Sequence, residues 1–403
     1  MEKLKLVFVW VFCLCIMVSN AQTVDWVWAL GAGGSGPDAG KVIRVDNSGF
    51  VINAGSFSGG ASFGSFSLTA VSSYSDIYLA KYNKNGVPLW VKSCSGSAGK
   101  DIKGIALDEK GNIYISGYFI ADFSIGSSTI YSAESYDIYI AKFTSNGELA
   151  WMRSIGNEQQ EIPAGIAVQG KNVFVSGSYR NTLKYETDSI SAVNNTDIFI
   201  LNLDTAANFG WLKTAGGKGF EYPRSIAASD NLLFVSGQFL DTCYFDNQFV
   251  IGQKSSDVFT AAYNTNGDVK WVKAGLGNYG NYPSAMCADK SGNAYITGCF
   301  GQTLTFDNFT LTCNGMVDFF VAKYDSNGNC KWARNEGGIS YDQGYGISAD
   351  HSGVVVTGFF KDVTKIGGIT FNGPGGNDIF IAEFETNGAF KWAKIAGGMN
   401  WDL

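Results

Sequence analysis

The sequence predicts an all-β fold, a β-propeller of six four-stranded blades with about 60 residues in each. The main observation is a tryptophan that recurs every 60 to 62 residues, because a fixed period of this size indicates one supersecondary unit copied along the chain. The composition agrees: Gly accounts for 51 of the 403 residues and Pro for only 6, which suits short strands joined by tight turns. The periodic residues are Trp28, Trp90, Trp151, Trp211, Trp271, Trp332 and Trp392.

Residues 1–21 have the pattern of a secretory signal peptide. Lys3 and Lys5 precede an apolar run of 13 residues, and Ala21 ends a short segment of small residues suited to cleavage. The apolar run is shorter than the roughly 20 residues that span a bilayer. We therefore expect cleavage after Ala21 and a secreted or cell-surface protein without a membrane span, in which residues 22–403 form the propeller.

Each repeat contains four predicted antiparallel strands, A to D, with a small hairpin inserted between B and C. In the second copy, strand A is expected near residues 104–108, strand B at 113–117, strand C at 137–143 and strand D at 149–154. Asn-Gly and Gly-Asn turns between these short β-rich runs are the hairpin signature. Sheets copied in this way stack radially as propeller blades.

The strand count leaves one D strand in excess. Six A strands and six C strands are predicted, but the D strand around Trp28 precedes every A strand. The chain also ends at the start of a further repeat, because Asp402 follows Trp392 by the same ten residues as Asp38 follows Trp28. Six blades with a redundant terminal strand are expected. The alternative is seven or more blades in an untruncated parent protein.

The repeated motif resembles a known repeat family. Gly-Ile-Ala-x-Asp-x-x-Gly-Asn-x-Tyr-x-x-Gly, followed by Asp-Ile-Phe-Ile-Ala-Lys-Tyr-x-x-x-Gly-x-x-x-Trp, resembles the SBBP-type β-propeller repeat of bacterial secreted and surface proteins over residues 24–400. Asn-Ala-Gln at the end of the signal resembles the signals of Bacteroidetes. The resemblance implies a fold rather than one activity.

A second, more distant resemblance concerns the segment from Gly86 to Trp90, which is similar to the tryptophan-docking repeats of quinoprotein dehydrogenases. The adjacent Cys-Cys pair of those enzymes is missing here, so no quinone site is carried over. The tryptophans are instead expected to act as flat apolar plates between neighbouring blades.

Two sets of polar residues are expected at one end of the ring, where the A and C strands begin. A structural role, in which a short acid accepts hydrogen bonds from loop N–H groups, is favoured for both sets. For the first set, the alternative is a cation or polyol site at the channel mouth, with Asp38, Asp101, Glu161, Glu221 and Asp342 as oxygen ligands of Ca²⁺ or Mg²⁺. The residues before the A strands are Asp38, Asp101, Glu161, Glu221, Asn281 and Asp342. Those that open the C strands are Asp76, Asp137, Asp197, Asp257, Asp318 and Asp378.

Few other residues suggest chemistry. Tyr222 and Tyr282 each precede a proline near the inner ring and are candidates for stacking on a ligand. The single histidine, His351, lies in a predicted turn, which disfavours a catalytic triad. The cysteines after residue 21 lack metal-site spacing, and export would permit disulfides among them.

These features favour a non-enzymatic, monomeric binding scaffold for a protein or glycan at a bacterial surface. The net charge of −7 disfavours a nucleic-acid partner, and no cofactor is expected apart from the possible calcium. One alternative is an enzyme acting on polysaccharide, with inner-ring carboxylates as acid and base. Another is a structural spacer in a larger surface protein. The sequence does not identify a ligand.

Overall fold

The protein is represented by a computed structural model that describes residues 27–193, 196–253 and 255–400. These residues form 35 strands and no helix, so this part of the chain holds no helix that could cross a membrane. The predicted signal peptide and Asp402 lie outside the described residues.

Six consecutive repeats each contain four antiparallel strands, which pair in the order A–B–C–D. This confirms the predicted all-β, antiparallel architecture.
The A strands are β2 (Ala39–Val45), β8 (Lys100–Leu107), β14 (Ile162–Gln169), β20 (Glu221–Ser229), β26 (Asn281–Ala288) and β32 (Asp342–Ala349). The B strands are β3 (Val51–Phe57), β9 (Ile113–Phe119), β15 (Asn172–Tyr179), β21 (Leu232–Phe239), β27 (Ala294–Phe300) and the first half of β33 (Val354–Ile366). The C strands are β6 (Asp76–Tyr82), β12 (Asp137–Phe143), β18 (Asp197–Asp204), β24 (Asp257–Asn264), β30 (Asp318–Tyr324) and the second half of β34 (Ile369–Phe384). The D strands are β7 (Pro88–Ser95), β13 (Leu149–Ile155), β19 (Phe209–Gly217), β25 (Val269–Gly277), β31 (Cys330–Glu336) and β35 (Phe390–Ala396).

An inserted hairpin follows the B strand in every repeat, as predicted. In three places this hairpin also hydrogen-bonds the D strand of the preceding repeat; Ser124 and Ile125, for example, pair with Ser95 and Cys94. In repeat 6 the hairpin continues β33 and β34 without a break. The separate hairpins are β4 (Gly60–Phe63) with β5 (Phe66–Thr69), β10 (Asp122–Ile125) with β11 (Ser128–Tyr131), β16 (Thr182–Tyr185) with β17 (Asp188–Ser191), β22 (Thr242–Phe245) with β23 (Gln248–Ile251), and β28 (Thr303–Phe306) with β29 (Phe309–Thr312).

The core lies between repeats rather than within them. Five apolar clusters each combine side chains of two consecutive repeats; Ile52 of repeat 1 and Ile115 of repeat 2, for example, share one cluster. The central B and C strands are therefore covered on both faces and are buried almost throughout. This explains their near-continuous apolar sequences, since a strand buried on both faces loses the alternation of a half-exposed one.

The periodic tryptophans fasten one repeat to the next. Trp151 Nε1 donates to Thr205 O at 3.1 Å and Trp211 Nε1 donates to Thr265 O at 3.0 Å, in each case in the C–D turn of the following repeat. Trp271 and Trp332 make the same contact one and two repeats later. These indoles are thus contacts between repeats, as the sequence predicts.

The N-terminal segment differs from the predicted full D strand. Residues 27–32 form no strand, and the only regular structure is the two-residue β1 (Gly33–Gly34), which pairs with β4. A D strand normally pairs with the C strand of its own repeat, and the described residues contain no C strand before β2. Without a C-strand partner, only Gly33 and Gly34 of this segment form ladder hydrogen bonds, with the hairpin of repeat 1.

The A strands of all six repeats line one central cavity of about 590 Å³. The arrangement is therefore of propeller type. Repeats 6 and 1 do not share an apolar cluster within the described part of the chain, in contrast to the five consecutive pairs.

Candidate functional site

Four of the six predicted inner-ring residues lie in the contacts between consecutive repeats, which we call joints. Glu161, Glu221, Asn281 and Asp342 are fully buried, and none of the six predicted residues lines the central cavity. The backbone N–H of Glu161 donates to Tyr136 O at 2.9 Å, just before the C strand of repeat 2. The other three residues make the same contact with the preceding repeat. Each joint thus brings the start of an A strand against the start of the preceding C strand.

Asp101 is not the inner-ring residue of repeat 2. The strand register places Lys100 opposite Phe119, as it places Glu221 opposite Phe239. A signal for Lys100 was present in the sequence, because every other inner-ring residue follows its tryptophan by ten positions and Lys100 follows Trp90 by ten. Asp101 was predicted in place of Lys100 because most other repeats carry a carboxylate at this position.

Asp101 instead forms ion pairs with two lysines. Its carboxylate lies 2.6 Å from Lys41 Nζ and 3.2 Å from Lys103 Nζ. Asp38, which is only half-buried, accepts hydrogen bonds from the N–H groups of Gly34 at 2.7 Å and Ser58 at 3.3 Å. Asp38 thus accepts loop N–H groups, as a structural acid would, whereas Asp101 forms ion pairs instead.

Two joints pair the C-strand aspartate with a donor side chain. Lys100 Nζ lies 3.0 Å from Asp76 Oδ1, and both side chains are completely buried. Asn281 Nδ2 donates to Asp257 Oδ1 at 3.3 Å. The same aspartates accept loop N–H groups through their other oxygen, as Asp76 does from Val71 at 2.9 Å. The predicted loop-pinning role of the C-strand aspartates agrees with this geometry.

The other three joints pair two carboxyl groups. Burial is the main cause that raises the pKa of Glu161 to about 8; the hydrogen bond from Asn157 N–H opposes the shift, and the charge of Asp137 adds to it. Burial and then the nearby Asp197 likewise raise the pKa of Glu221 to about 8. In the last joint, burial is the main cause that raises the pKa of Asp342 to about 7, with a smaller contribution from Asp318. Glu161 and Glu221 are therefore largely protonated at neutral pH.

In these joints, one oxygen of each carboxyl group has no hydrogen-bond partner. Asp137 Oδ1 and Glu161 Oε1 are both buried without a hydrogen-bond partner, as are Asp197 Oδ1 and Glu221 Oε1. In the joint with Asn281, the corresponding aspartate oxygen accepts a hydrogen bond. In the joint with Lys100, that oxygen lies 3.0 Å from the ammonium nitrogen, which balances its charge, although it accepts no hydrogen bond. A carboxylic acid is a donor where a carboxylate is not, so a protonated glutamate can take the place of the ammonium or amide.

These acids do not form a metal cluster. Among residues 27–400, apart from the undescribed positions, no three His, Cys, Asp or Glu side chains lie close enough together to hold a metal ion. The candidate ligands Asp38, Asp101, Glu161, Glu221 and Asp342 are divided among separate joints. The calcium site stays a prediction without a supporting contact in the structure.

Exposed apolar side chains concentrate at the end of the molecule where the A and C strands begin, which we call the loop face. Phe220 stacks on Tyr222 with ring centroids 6.3 Å apart and an interplanar angle of 4°. Tyr282, the other predicted stacking residue, is 44% exposed. Further exposed residues on the loop-face connections of repeats 4 to 6 are Tyr279, Met316, Ile339 and Tyr341.

The opposite end is built from tight polar turns. Asp325 Oδ1, for example, accepts the N–H groups of Asn327 at 3.0 Å and Asn329 at 2.9 Å. Exposed large apolar side chains near this end include Val45, Val87, Leu89, Phe249 and the N-terminal segment 27–30. The turns themselves are polar, whereas the loop-face connections carry the exposed tyrosines.

The remaining candidates show no catalytic geometry. His351 is exposed in the turn before the second strand of repeat 6, as predicted. Cys94, Cys243 and Cys299 are buried as free thiols, and the other three described cysteines are also unbridged.

The chain is similar to a WD repeat-containing protein of a virus. No family model matches the chain. An uncharacterized WD repeat-containing protein of Acanthamoeba polyphaga mimivirus is 26% identical over 330 residues, which cover 63% of this chain and 24% of that protein. The chain thus spans about a quarter of that relative's length. The relative, together with the six sheets, supports a propeller-type repeat protein.

A solved structure, the Pyrococcus horikoshii acylaminoacyl peptidase, is similar over 90% of this chain and 53% of its own, with 10% sequence identity and a TM-score of 0.34. This TM-score is too low to support a conclusion about fold or activity.

Proposed function

We propose that the chain is a non-enzymatic, propeller-type scaffold that binds a protein partner through its loop face. The observation that carries this proposal is the concentration of exposed aromatic and apolar side chains at that end. Patches of this kind on a soluble protein mark interaction sites, and tyrosine is enriched where partners are bound. The WD repeat-containing relative supports an interaction module of this general type.

The rigidity of the framework supports the same function. The loop-face connections are attached to strands that are buried on both faces. Hydrogen bonds between repeats fix the starts of the A strands. Side chains mounted on such a framework lose little conformational entropy when a partner binds. The buried inner-ring acids are inaccessible to a substrate, so the geometry does not favour the polysaccharide-acting alternative.

The cellular location and the finer family assignment are part of the same proposal. The signal-like residues 1–21 support export to a bacterial surface, and the repeated motif supports an SBBP-type origin in a Bacteroidetes-like organism. In this proposal, each of the six described repeats is one blade of the propeller.

The binding proposal is tested with two probes, a displayed library of random peptides and a glycan array. Peptides selected on the protein are expected to bind at least tenfold more weakly to the double variant Tyr222→Ala/Tyr282→Ala. The matched control is Tyr131→Ala, because Tyr131 is 73% exposed on a hairpin away from these residues. Selective binding of glycans instead would replace the protein partner with a sugar. Ligands that are insensitive to both tyrosines would contradict the loop-face assignment.

A further inference from the structure

The first repeat already carries part of a neighbouring repeat on its outer face. Trp28 Nε1 donates to Lys84 O at 3.0 Å, as Trp211 Nε1 donates to Thr265 O at 3.0 Å between repeats 3 and 4. The ring of Trp28 lies on the turn glycine Gly86, as the rings of Trp90, Trp211, Trp271 and Trp332 lie on the turn glycines of the repeats that follow them. Residue 28 therefore occupies the place of a tryptophan from a preceding repeat.

The residues after Trp28 reproduce the rest of a D strand and its turn. Gly34 pairs with Ala61 of the next hairpin, as Gly217 pairs with Cys243 between repeats 3 and 4. The N–H of Gly34 donates to Asp38 Oδ2 at 2.7 Å, and the N–H of Gly338 donates to Asp342 Oδ2 at 2.8 Å. Segment 28–38 thus forms the outer edge of a joint like the others.

The inner part of the same joint is uncovered. Ile43 is 55% exposed, whereas Ile105 and Ile166, at the same position of repeats 2 and 3, are 1% and 3% exposed. Val45, two residues after Ile43, is 61% exposed. In the joint between repeats 2 and 3, the Ile166 side chain packs against Gly104 of the preceding A strand. Ile43 lacks such an A strand beside it. The first joint therefore has a D-strand edge and no described inner strands.

Repeat 6 does not supply the missing strands. Trp392 Nε1 donates to Glu383 Oε2 at 2.6 Å in its own repeat, not to a following C–D turn. The turn of repeat 1 that it would need in a closed six-bladed ring is already occupied by Trp28. No apolar cluster of the described residues joins the two repeats. We call this open joint the seam.

We propose that the seam is filled by the A, B and C strands of one further repeat of this type, joined after repeat 6 in the same polypeptide. Segment 28–34 completes that repeat as its D strand, and the finished ring has seven blades. The occupant follows from continuity with the five described joints, in each of which a D strand leads to the A strand of the next repeat in the chain. An isoleucine or methionine would pack beside Gly346, and a C–D turn carbonyl would accept the Trp392 indole.

The test extends the full chain after Leu403 with a copy of its own residues 283–328, which carry the rest of the A strand, the B and C strands and the C–D turn of repeat 5. The copy begins at Pro283 because Asp402 follows Trp392 by ten positions, as Asn281 follows Trp271. Amide hydrogen exchange of β2 is expected to slow at least tenfold, because its uncovered face becomes buried. The unfolding temperature is expected to rise by roughly 3 °C or more. The control extension carries Met286→Asp in the appended copy, which places a charge in the new joint and should cancel both changes.

Two outcomes would overturn the proposal. Exchange of β2 and the unfolding temperature could be the same with and without the intact extension. Alternatively, the unextended chain could form a dimer in light scattering, with β2 protected at the dimer interface; a second copy would then be the occupant. Ile43→Asp in the extended chain distinguishes a filled joint from general stabilisation, since it should abolish the gain only if Ile43 is covered.

Discussion

Lys100 shows how a single side chain decides the chemistry of a joint. Its ammonium group lies 3.0 Å from Asp76 Oδ1 with both side chains removed from solvent, and it also donates to Gly96 O at 3.0 Å and Ala98 O at 3.1 Å. Removing one partner of a buried ion pair leaves an uncompensated charge, which costs far more than losing an exposed pair. In the other joints, the buried C-strand aspartate faces an amide or a carboxyl group instead of an ammonium group.

Lys100→Met is therefore expected to lower the free energy of unfolding by about 3–5 kcal/mol, because Asp76 loses its ion-pair partner in a buried site. Urea denaturation measures the change. Lys110→Met is the matched control, since Lys110 is exposed in a turn and a surface substitution should stay within about 0.5 kcal/mol. Equal losses in the two variants would show that the Lys100–Asp76 contact contributes nothing specific.

The carboxyl pairs predict a stability that falls as the pH rises. The pKa of Glu161 and of Glu221 is raised to about 8 in the folded protein, above the usual 4.5 of glutamate. A raised pKa means that the folded state binds the proton more tightly, so this stability is fully present below about pH 4.5 and is lost as the pH rises through 8. The unfolding temperature of the protein should decline between pH 5 and pH 8 for this reason.

Glu161→Gln/Glu221→Gln should flatten that decline, because a glutamine amide donates to the facing aspartate at every pH, as Asn281 does to Asp257. Asn281→Asp should steepen it by creating a fourth acid pair. Thermal unfolding from pH 5 to 9 gives the comparison, and parallel curves for all three proteins would contradict the shared proton. A rise in unfolding temperature with Ca²⁺ at pH 8, lost in the glutamine variant, would show that a cation takes the proton's place.

At the scale of the strand and turn, the C–D turn glycine limits how closely consecutive repeats approach. Gly267 has a φ of +86°, and a Cβ built there would lie 3.1 Å from the Trp211 ring. Both the left-handed backbone and the close contact with the indole favour glycine. The turn of repeat 3 has Ala207 at the same place, with a φ of +67°. Gly170, also left-handed with a φ of +57°, has no atom within 4 Å of its Cβ position.

Comparing Gly267→Ala with Gly170→Ala separates these two causes. The left-handed conformation costs an alanine roughly 1–2 kcal/mol at either position. Gly267→Ala is expected to lose about 1 kcal/mol more, because overpacking displaces the indole. Chemical denaturation of both variants measures the difference. Losses of the same size would mean that the indole moves aside without cost.

The strands and turns were largely predictable from the sequence, whereas their partners were not. The Asn-Gly turns, the apolar C strands and the inserted hairpins all follow from local patterns. The burial of Glu161 and Glu221 does not, because it depends on which end of the neighbouring repeat packs against each A strand. The predicted N-terminal D strand is reduced to the short β1 for the same reason, since a strand needs a partner that the local sequence does not reveal.

Over the whole molecule, the repeats are alike in sequence but unequal in environment. Trp271 is 7% exposed and joins repeats 4 and 5, whereas Trp392 is bonded only within repeat 6. In a repeat protein the interfaces between neighbours supply much of the stability. The contribution of each tryptophan should therefore depend on whether a following repeat receives it.

Trp271→Ala is expected to cost about 3–5 kcal/mol, the usual range for truncating a large buried aromatic side chain. Trp392→Ala should cost less than half as much in the unextended chain, because its indole has no described neighbour on the following side. Guanidinium unfolding followed by circular dichroism measures both. Equal costs would show that Trp392 is packed as tightly as Trp271, and would argue against an open seam.

The hairpins also have a consequence for biosynthesis. β10, β22 and β28 each pair with the D strand of the preceding repeat. That D strand is synthesised first, so its free edge is present when the next hairpin emerges. A chain that leaves a ribosome or an export channel N-terminus first could therefore fold sheet by sheet, each on its predecessor. Only the contact between the two extremes of the polypeptide would have to wait until synthesis was finished.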